Sequence, residues 1–334
     1  MKTLLEKCNT LSTDGLGYEA WLEKRKGSIG GSDAGSIMGL SAYGSPLTIY
    51  LEKKGLVSDR EISRAAYRGK ILEPVIFGLF AKDHPELAIE KAPYMFFSKT
   101  NPFMSANIDG LISGNATIDG KEISGTGILE IKTSKTGYGF GDDEIPDTHY
   151  AQVQHYLSVL DLPWAVISVY MLENEVIKNY VVMRNDDFIA RLIAAEKDFW
   201  ENFVQKDVMP AAMGLENEDD MITGMYEGSK APVVLTNEEI DLCRTHKELG
   251  EQIDALRKQK DAVGINLKAK LGARTNGDGE RKLSASGGGY SVSWSFYKRQ
   301  SADSDALKKA GLFDLYCKTS ECDRMTITKK KEVA

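Results

Sequence analysis

Between Asn107 and Lys132 the chain reads Asn-Ile-Asp-Gly, then a polar glycine-rich stretch, then Gly-Ile-Leu-Glu-Ile-Lys, and no other segment restricts the fold as strongly. If Gly127 to Thr133 is a strand, period-two alternation puts Ile128, Glu130 and Lys132 on one face and Leu129 and Ile131 on the other. A carboxylate and an ammonium then stand side by side over a strand whose far face is apolar. Asp109, at the end of the run Phe103 to Ile108, adds a second carboxylate if those two strands pair. Two acids beside a lysine suit a hard cation, because Mg²⁺ prefers carboxylate oxygens and keeps water that a lysine can orient. Taken singly, Glu-x-Lys is common on solvated strands and Asp-Gly marks ordinary turns, so the rest of the chain has to decide.

At 334 residues the chain can bury a full core and hold more than one structural unit. Hydrophobic residues at 42% and charged residues at 27% are ordinary globular values, which argues against a disordered or fibrous protein. The net charge of -7 argues against a passive nucleic-acid coat, yet leaves room for an enzyme with a local basic groove beside an acidic metal pocket. Cysteines at 8, 243, 317 and 322 form no Cys-x-x-Cys pair, so a disulfide framework, a zinc knuckle and an iron–sulfur cluster are all disfavoured. With no apolar run long enough for a signal peptide or a membrane span, a reduced, cytoplasmic setting is expected.

Taken in order, Gly17 to Lys24 reads as a short helix leading into Arg25-Lys-Gly-Ser-Ile-Gly-Gly-Ser-Asp-Ala-Gly. Opening into a helix with Ser32 or Asp33 as N-cap, this loop could hold a phosphate with amides, a hydroxyl and Arg25, or serve simply as a glycine turn. Helices are expected at Pro46 to Lys54 and at Ser63 to Lys82. In the second, Ile71, Leu72, Val75, Ile76, Leu79 and Phe80 form a core-facing stripe, with Glu73 off it. Strands are expected at Ile89 to Phe97, Phe103 to Ile108, Gly127 to Thr133, Trp164 to Leu172 and Val176 to Met183. A helix from Thr148 to Leu160 turns Tyr150, Val153, Leu157 and Leu160 inward, with Gln152, His155 and Tyr156 on another side. Together these make an α/β or α+β core, closed by an amphipathic helix from Asp186 to Val204.

This core spans residues 1–210. Residues 211–235 are acidic and poor in large apolar side chains, as a linker is. Residues 236–272 read as one long helix, or a hairpin broken near Gly264, in which Leu249, Ile253, Leu256, Val263 and Leu267 follow three-four spacing with Lys260 interrupting. Residues 273–334 are a small basic β/α region. Tyr290, Val292, Trp294 and Phe296 alternate with serines as a half-buried strand. From Arg281 onward eleven Lys/Arg stand against six acids, a balance of +5 that suits either nucleic-acid contact or a solvated surface.

The order Trp21…Arg25…Ser32, Gly69-Lys70…Glu73, Asp109-Gly110-Leu111, Leu129-Glu130-Ile131-Lys132 and Ala151-Gln152-Val153-Gln154 resembles the phage lambda exonuclease and YqaJ-type viral recombinase nucleases of the PD-(D/E)xK superfamily. The resemblance covers about Tyr18 to Val204 and implies a restriction-endonuclease-like core with a mixed sheet flanked by helices. It implies that Asp109, Glu130 and the Ile131 carbonyl bind Mg²⁺, with two ions and Mn²⁺ as a substitute, and that Glu73 supports the second ion. It assigns Lys132 and Gln152 to the attacking water, and Arg25 with Ser32 to the 5′-phosphate. The implied activity is digestion of one strand of duplex DNA from its 5′ end, leaving a 3′ overhang for a single-strand annealing protein, in a ring-shaped homotrimer.

A related endonuclease, or a catalytically silent DNA-binding or scaffold protein of the same fold, is the alternative. Serine or cysteine hydrolase chemistry has no recognisable nucleophile setting here. Two features depart from the family pattern: the insertion from Ser113 to Gly127, and the region beyond about Gly214.

Overall fold

Strand pairing decides where the acids of this motif meet. The computed structural model describes residues 2–57, 63–226, 232–273, 282–295 and 301–317. The chain divides into two compact units, Met1–Glu227 and Gly228–Ala334. In the first unit, strands β1 (Asn9–Ser12), β2 (Ile29–Gly30), β3 (Ala88–Glu90), β4 (Tyr94–Phe97), β5 (Met104–Ala106), β6 (Gly110–Ile118), β7 (Lys121–Ser134), β8 (Trp164–Met171) and β9 (Val176–Met183) form two sheets. The helices are α1 (Lys2–Lys7), α2 (Tyr18–Lys26), α3 (Gly31–Ile37), α4 (Pro46–Lys53), α5 (Arg64–Asp83), α6 (Asp147–Leu160), α7 (Asp186–Phe199) and α8 (Glu216–Met225). A π-helical turn, Trp200–Val204, extends α7.

One sheet runs β1-β4-β5-β2 and the other β3-β6-β7-β8-β9. Within the larger sheet β7 and β8 are parallel and every other pair is antiparallel, so the α+β mixed sheet expected from the sequence is present. A parallel pair needs a crossover over one face, and α6 supplies it.

The run 89–97, expected as one strand, is two strands in different sheets. Pro93 lacks a ladder donor and restricts the residue before it, so the chain breaks there. Likewise β5 ends in the smaller sheet and does not pair with β7. The antiparallel partner of β7 is β6, which begins directly after Asp109 and pairs Gly110 with Leu129.

The insertion from Ser113 to Gly127 is the far half of the β6–β7 hairpin, in register from Ser113↔Thr126 to Ile118↔Lys121. Asp119 and Gly120 close it with φ of 49° and 72°, the left-handed pair that a tight two-residue turn requires. The hairpin buries Ile118 and Ile123, and the Trp164 indole donates to the Ser124 carbonyl at 2.8 Å. A Cβ at Gly127 would lie 2.2 Å from that indole, so the insertion is built into the core around a glycine.

The two faces of β7 meet different helices. Leu129 and Ile131 pack with Ile76 and Phe80 of α5, with Trp164 and with Val166. Ile128 belongs to the other core, with Val153 and Leu157 of α6. The expected stripe on α5 is narrower than its sequence pattern: Ile76 and Phe80 are buried, whereas Ile71, Val75 and Leu79 are 53%, 54% and 39% exposed. A helix lying on one sheet covers only a thin strip of its own surface. Helix α6 is the opposite case, with Ala151 to Leu157 all buried, because it touches β4 and β5 on one side and β8 on another.

Part of the expected linker is folded. In α8, Glu218 is buried because its carboxylate accepts from the amides of Met213, Gly214 and Leu215 and from the Ser45 hydroxyl at 2.5 Å. Its acids look like linker composition, but this one caps the turn that enters α8.

The second unit contains α9 (Asn237–Gly272), β10 (Lys282–Gly287), β11 (Tyr290–Ser295), α10 (Ser304–Lys309) and α11 (Phe313–Tyr316). Helix α9 continues unbroken through Gly250 and Gly264, so the hairpin alternative does not apply. β10 and β11 pair through a Gly288-Gly289 turn with φ of 58° and 79°. Tyr290 is 80% exposed rather than half-buried. Phe296 and residues 318–334, most of the basic tail, lie outside the described residues. Among the described residues no helix is long and apolar enough to cross a membrane.

Candidate active site

Because side chains alternate along β7, Glu130 and Lys132 emerge on the α6 side, and Lys132 Nζ donates to Glu130 Oε1 at 2.6 Å. Gln152, from the second turn of α6, donates through Nε2 to the same oxygen at 2.7 Å. Asp109, at the head of β6, accepts the Ile131 amide on Oδ2 at 2.7 Å. Residues far apart in sequence are thus held against two consecutive residues of one strand.

The remaining acid, Glu73, comes from α5, which lies against β7. A Cβ at Gly69 would lie 3.5 Å from the Thr133 hydroxyl. Glu73 stays open to solvent, yet crowding by the surrounding protein and the Glu130 carboxylate raises its pKa. Burial and the charges of Glu130 and Glu73 hold Asp109 well above the usual carboxylate range. Burial would lower the Lys132 pKa, but Glu130, Asp109 and Glu73 more than offset it, so the ammonium is kept. Three acids around one lysine leave an excess of negative charge that a cation would relieve.

The glycine-rich loop makes a second cluster. Arg25 donates to the Ser32 hydroxyl at 2.7 Å and to Asp33 Oδ1 at 3.2 Å, with its guanidinium 4.9 Å from the centre of the Trp21 ring. Asp33 Oδ2 takes the Lys53 ammonium at 2.7 Å and the Gly30 amide at 2.9 Å. Neither Ser32 nor Asp33 is the N-cap of α3. That position is Gly30, and Asp33 folds back onto it from the third helical residue. Burial alone would raise the Asp33 pKa, but the Lys53 and Arg25 charges bring it down to about 2. Two cations share this one carboxylate, so the cluster keeps a positive balance.

Tyr156 bridges the two clusters. Its hydroxyl accepts from Gln152 Nε2 at 3.1 Å, and its ring packs so tightly on Gly31 that a Cβ there would lie 2.4 Å away. Burial and the Glu130 carboxylate push its pKa well up, and it senses both Asp109 and Arg25.

All the residues expected at the metal and catalytic positions, Asp109, Glu130, Ile131, Lys132, Gln152 and Glu73, are brought together, and Arg25 meets Ser32. Sequence reasoning missed Lys53 and His149, and it missed the parts that Asp33 and Tyr156 play in the two clusters. Tyr156 had a signal, since it lies one helical turn beyond Gln152 on the same face. His149, stacked on Phe140 at 5.7 Å, is pushed down to about 4 by burial and the Lys132 charge, so its imidazole is neutral at pH 7. Lys53 had none, because nothing local ties it to a carboxylate twenty residues away.

Glu130 Oε2 is buried and has no hydrogen-bond partner, which is costly for a carboxylate unless something cationic faces it. Among the described residues no three His, Cys, Asp or Glu side chains are gathered tightly enough to form a metal cage by themselves.

Two acids and a lysine thus stand at adjoining strand ends over the mixed sheet of an α+β domain, with a helix on each face. Residues 20–162 match the model of the YqaJ-like viral recombinase domain family, the family to which the sequence motifs pointed. The chain is 29% identical over 266 residues to the protein YqaJ of Bacillus subtilis (strain 168), covering 76% of this chain and 78% of that one. Among solved structures, the alkaline exonuclease LHK-Exo of Laribacter hongkongensis superposes with a TM-score of 0.45 at 17% identity, covering 57% of this chain and 94% of that one. A phage-related exonuclease from Haemophilus somnus 129PT does so with a TM-score of 0.39 at 14% identity, covering 54% and 96%.

Proposed function

We propose that this protein is a Mg²⁺-dependent exonuclease that hydrolyses one strand of duplex DNA from a 5′-phosphorylated end and leaves a 3′ overhang. The observation that carries the reading is the buried, unpartnered Glu130 Oε2 beside Asp109 and Lys132. The match to the viral recombinase family supports the same chemistry. Asp109, Glu130 and the Ile131 carbonyl would hold Mg²⁺, with Glu73 serving a second ion or its water. Bound there, the cation neutralises charge on the scissile phosphate and lowers the pKa of water.

The chain's own groups do the rest. Lys132 orients the attacking water and stabilises the negative charge that develops on the phosphate oxygens. Gln152 holds Glu130 in place through one amide hydrogen and faces the water with its side chain. Arg25 and Ser32 receive the terminal 5′-phosphate, a dianion that matches a guanidinium flanked by a hydroxyl. Tyr156 fixes the spacing between that phosphate and the cleaved linkage. The overhang made in this way calls for a single-strand annealing protein as partner. The setting is cytoplasmic, that of a bacterial host if the chain is phage- or prophage-encoded, and the assembly is a homo-oligomer, a trimer by resemblance.

Digestion of linear, nicked and covalently closed duplexes, with and without Mg²⁺, tests this reading. Mononucleotide release from linear duplex only in Mg²⁺, with closed circles untouched, is expected. Cutting of closed circles would make the protein an endonuclease, and no product from any substrate would make it an inert binder. Arg25→Ala should erase the preference for 5′-phosphate over 5′-hydroxyl ends. An unchanged preference would return the glycine-rich loop to a purely structural role.

A further inference from the structure

Helix α9 is 36 residues long, roughly 54 Å at the usual rise, and none of its residues is buried. Long helices take most of their stability from packing an apolar face, so a face left open on this scale needs a partner. The face here is narrow. Leu242, Leu249, Ile253, Leu256, Val263 and Leu267 are between 43% and 68% exposed, and with His246 and Lys260 they follow an unbroken three-four alternation. A stripe of period 3.5 is the seam of a coiled coil, whereas a helix lying on a globular surface needs a broader face. Extending the same alternation by one position in each direction reaches Glu239 and Lys270.

From this pattern we infer that α9 pairs with the α9 of a second copy of the chain as an antiparallel coiled coil. In that arrangement the seam is self-complementary. Glu239 faces Lys270 of the other copy, Leu242 faces Leu267, His246 faces Val263, Leu249 faces Lys260 and Ile253 faces Leu256, and the twofold axis repeats the set. Acid meets base at both ends, and apolar residues meet at the centre. Lys260 lays its methylenes over Leu249 while its ammonium reaches water. A parallel pair would instead stack Glu239 on Glu239, Lys260 on Lys260 and Lys270 on Lys270.

The charge of the whole helix favours the same orientation. Asn237 to Asp254 carries six acids against two Lys/Arg, and Ala255 to Gly272 carries five Lys/Arg against one acid, so the halves are -4 and +4. Antiparallel pairing sets each half against its opposite, and parallel pairing sets like on like. The Arg244–Asp241 and Arg257–Asp254 ion pairs lie within one helix and do not occupy the seam.

Cross-linking in the full-length chain tests both partner and orientation, with Cys243, Cys317 and Cys322 changed to serine. Leu242→Cys and Leu267→Cys are exposed substitutions that leave the monomer's packing unchanged. Under mild oxidation an equimolar mixture of the two variants should give a covalent dimer, while each variant alone stays monomeric on a denaturing gel. Dimers from each variant alone, and none specific to the mixture, would overturn the antiparallel assignment. Light scattering provides the independent readout. The Ile253→Asp, Leu256→Asp double variant, which sets acid against acid across the seam, should have about half the mass of the parent assembly, whatever contacts the first unit makes. An unchanged mass without cross-links would mean that the seam is covered by the first unit of the same chain or by another protein, and the inference fails.

Discussion

Glu130 accepts two hydrogen bonds on one oxygen and none on the other, and Lys132 is one of the donors. In the proposed mechanism, removing that ammonium takes away the group that meets the developing phosphate charge while leaving the carboxylates. Lys132→Ala should therefore slow cleavage by roughly 10²–10³-fold, the usual cost of losing one such donor. Binding of DNA in Ca²⁺ should stay near the parent value, and near-normal turnover would remove Lys132 from the mechanism. Asp33 makes a different kind of statement. Its folded pKa of about 2 lies below the ordinary 3.8, so the stabilisation it gives is present above the unfolded value and is lost as pH falls toward 2. That shift corresponds to about 2 kcal/mol. Asp33→Asn should flatten the acid limb of the stability curve between about pH 4 and pH 2 relative to the parent, measured by denaturant melts at each pH. An identical acid limb would show that Lys53 and Arg25 do not depend on it.

Helices α6 and α7 are pinned by a buried pair that no part of the proposed chemistry uses. His155 contacts Glu196 Oε1 through Nδ1 at 2.8 Å and the Ser105 carbonyl through Nε2 at 2.9 Å, and both side chains are fully buried. A carbonyl only accepts, so Nε2 donates, and one further proton lies between Nδ1 and the carboxylate. Burial would lower the His155 pKa, but Glu196 and the Ser105 carbonyl raise it above the ordinary 6.5. Burial also raises the Glu196 pKa. The folded state thus holds this proton more tightly than the unfolded chain. The resulting stability is complete below about pH 6.5 and is lost as pH rises through the folded value. His155→Gln should lower the thermal midpoint at neutral pH and abolish its decline on the alkaline side. A variant whose midpoint still falls in parallel with the parent would place the alkaline limb elsewhere.

Over the whole molecule, a cation bound at the proposed site would tie stability to metal and to pH together. Asp109 is held well above the usual carboxylate range by burial and by Glu130 and Glu73, and ligands must shed their protons to bind a cation. Mg²⁺ should therefore raise the thermal midpoint, by an amount equivalent to about 2.7 kcal/mol at a hundredfold excess over Kd, and the increment should grow as pH rises. Scanning calorimetry with Mg²⁺ and with a chelator across pH measures it. An increment that shrinks with rising pH would contradict the assigned ligands. The second unit adds its own dependence on concentration if α9 pairs as inferred, because stability then includes an association step.

What could be read from residue order was whatever a local period controls. Alternation along β7 put Glu130 beside Lys132, and helical spacing put Tyr156 on the same side of α6 as Gln152. The order of those periodic segments also carried the α/β or α+β class, and left residues 236–272 as one long helix or a hairpin until the structure showed a single helix. Tertiary structure alone decided that Asp109 reaches Glu130 through β6 rather than β5, and that Pro93 sends one apparent strand into two sheets. It likewise decided that Arg25 shares Asp33 with a lysine from another helix, and that the acidic stretch after residue 211 folds around Glu218. The physical reason is the range of the forces involved. Backbone periodicity acts over a few residues, whereas strand partners and buried charges are chosen by desolvation and packing between segments whose separation along the chain carries no information about their distance in space.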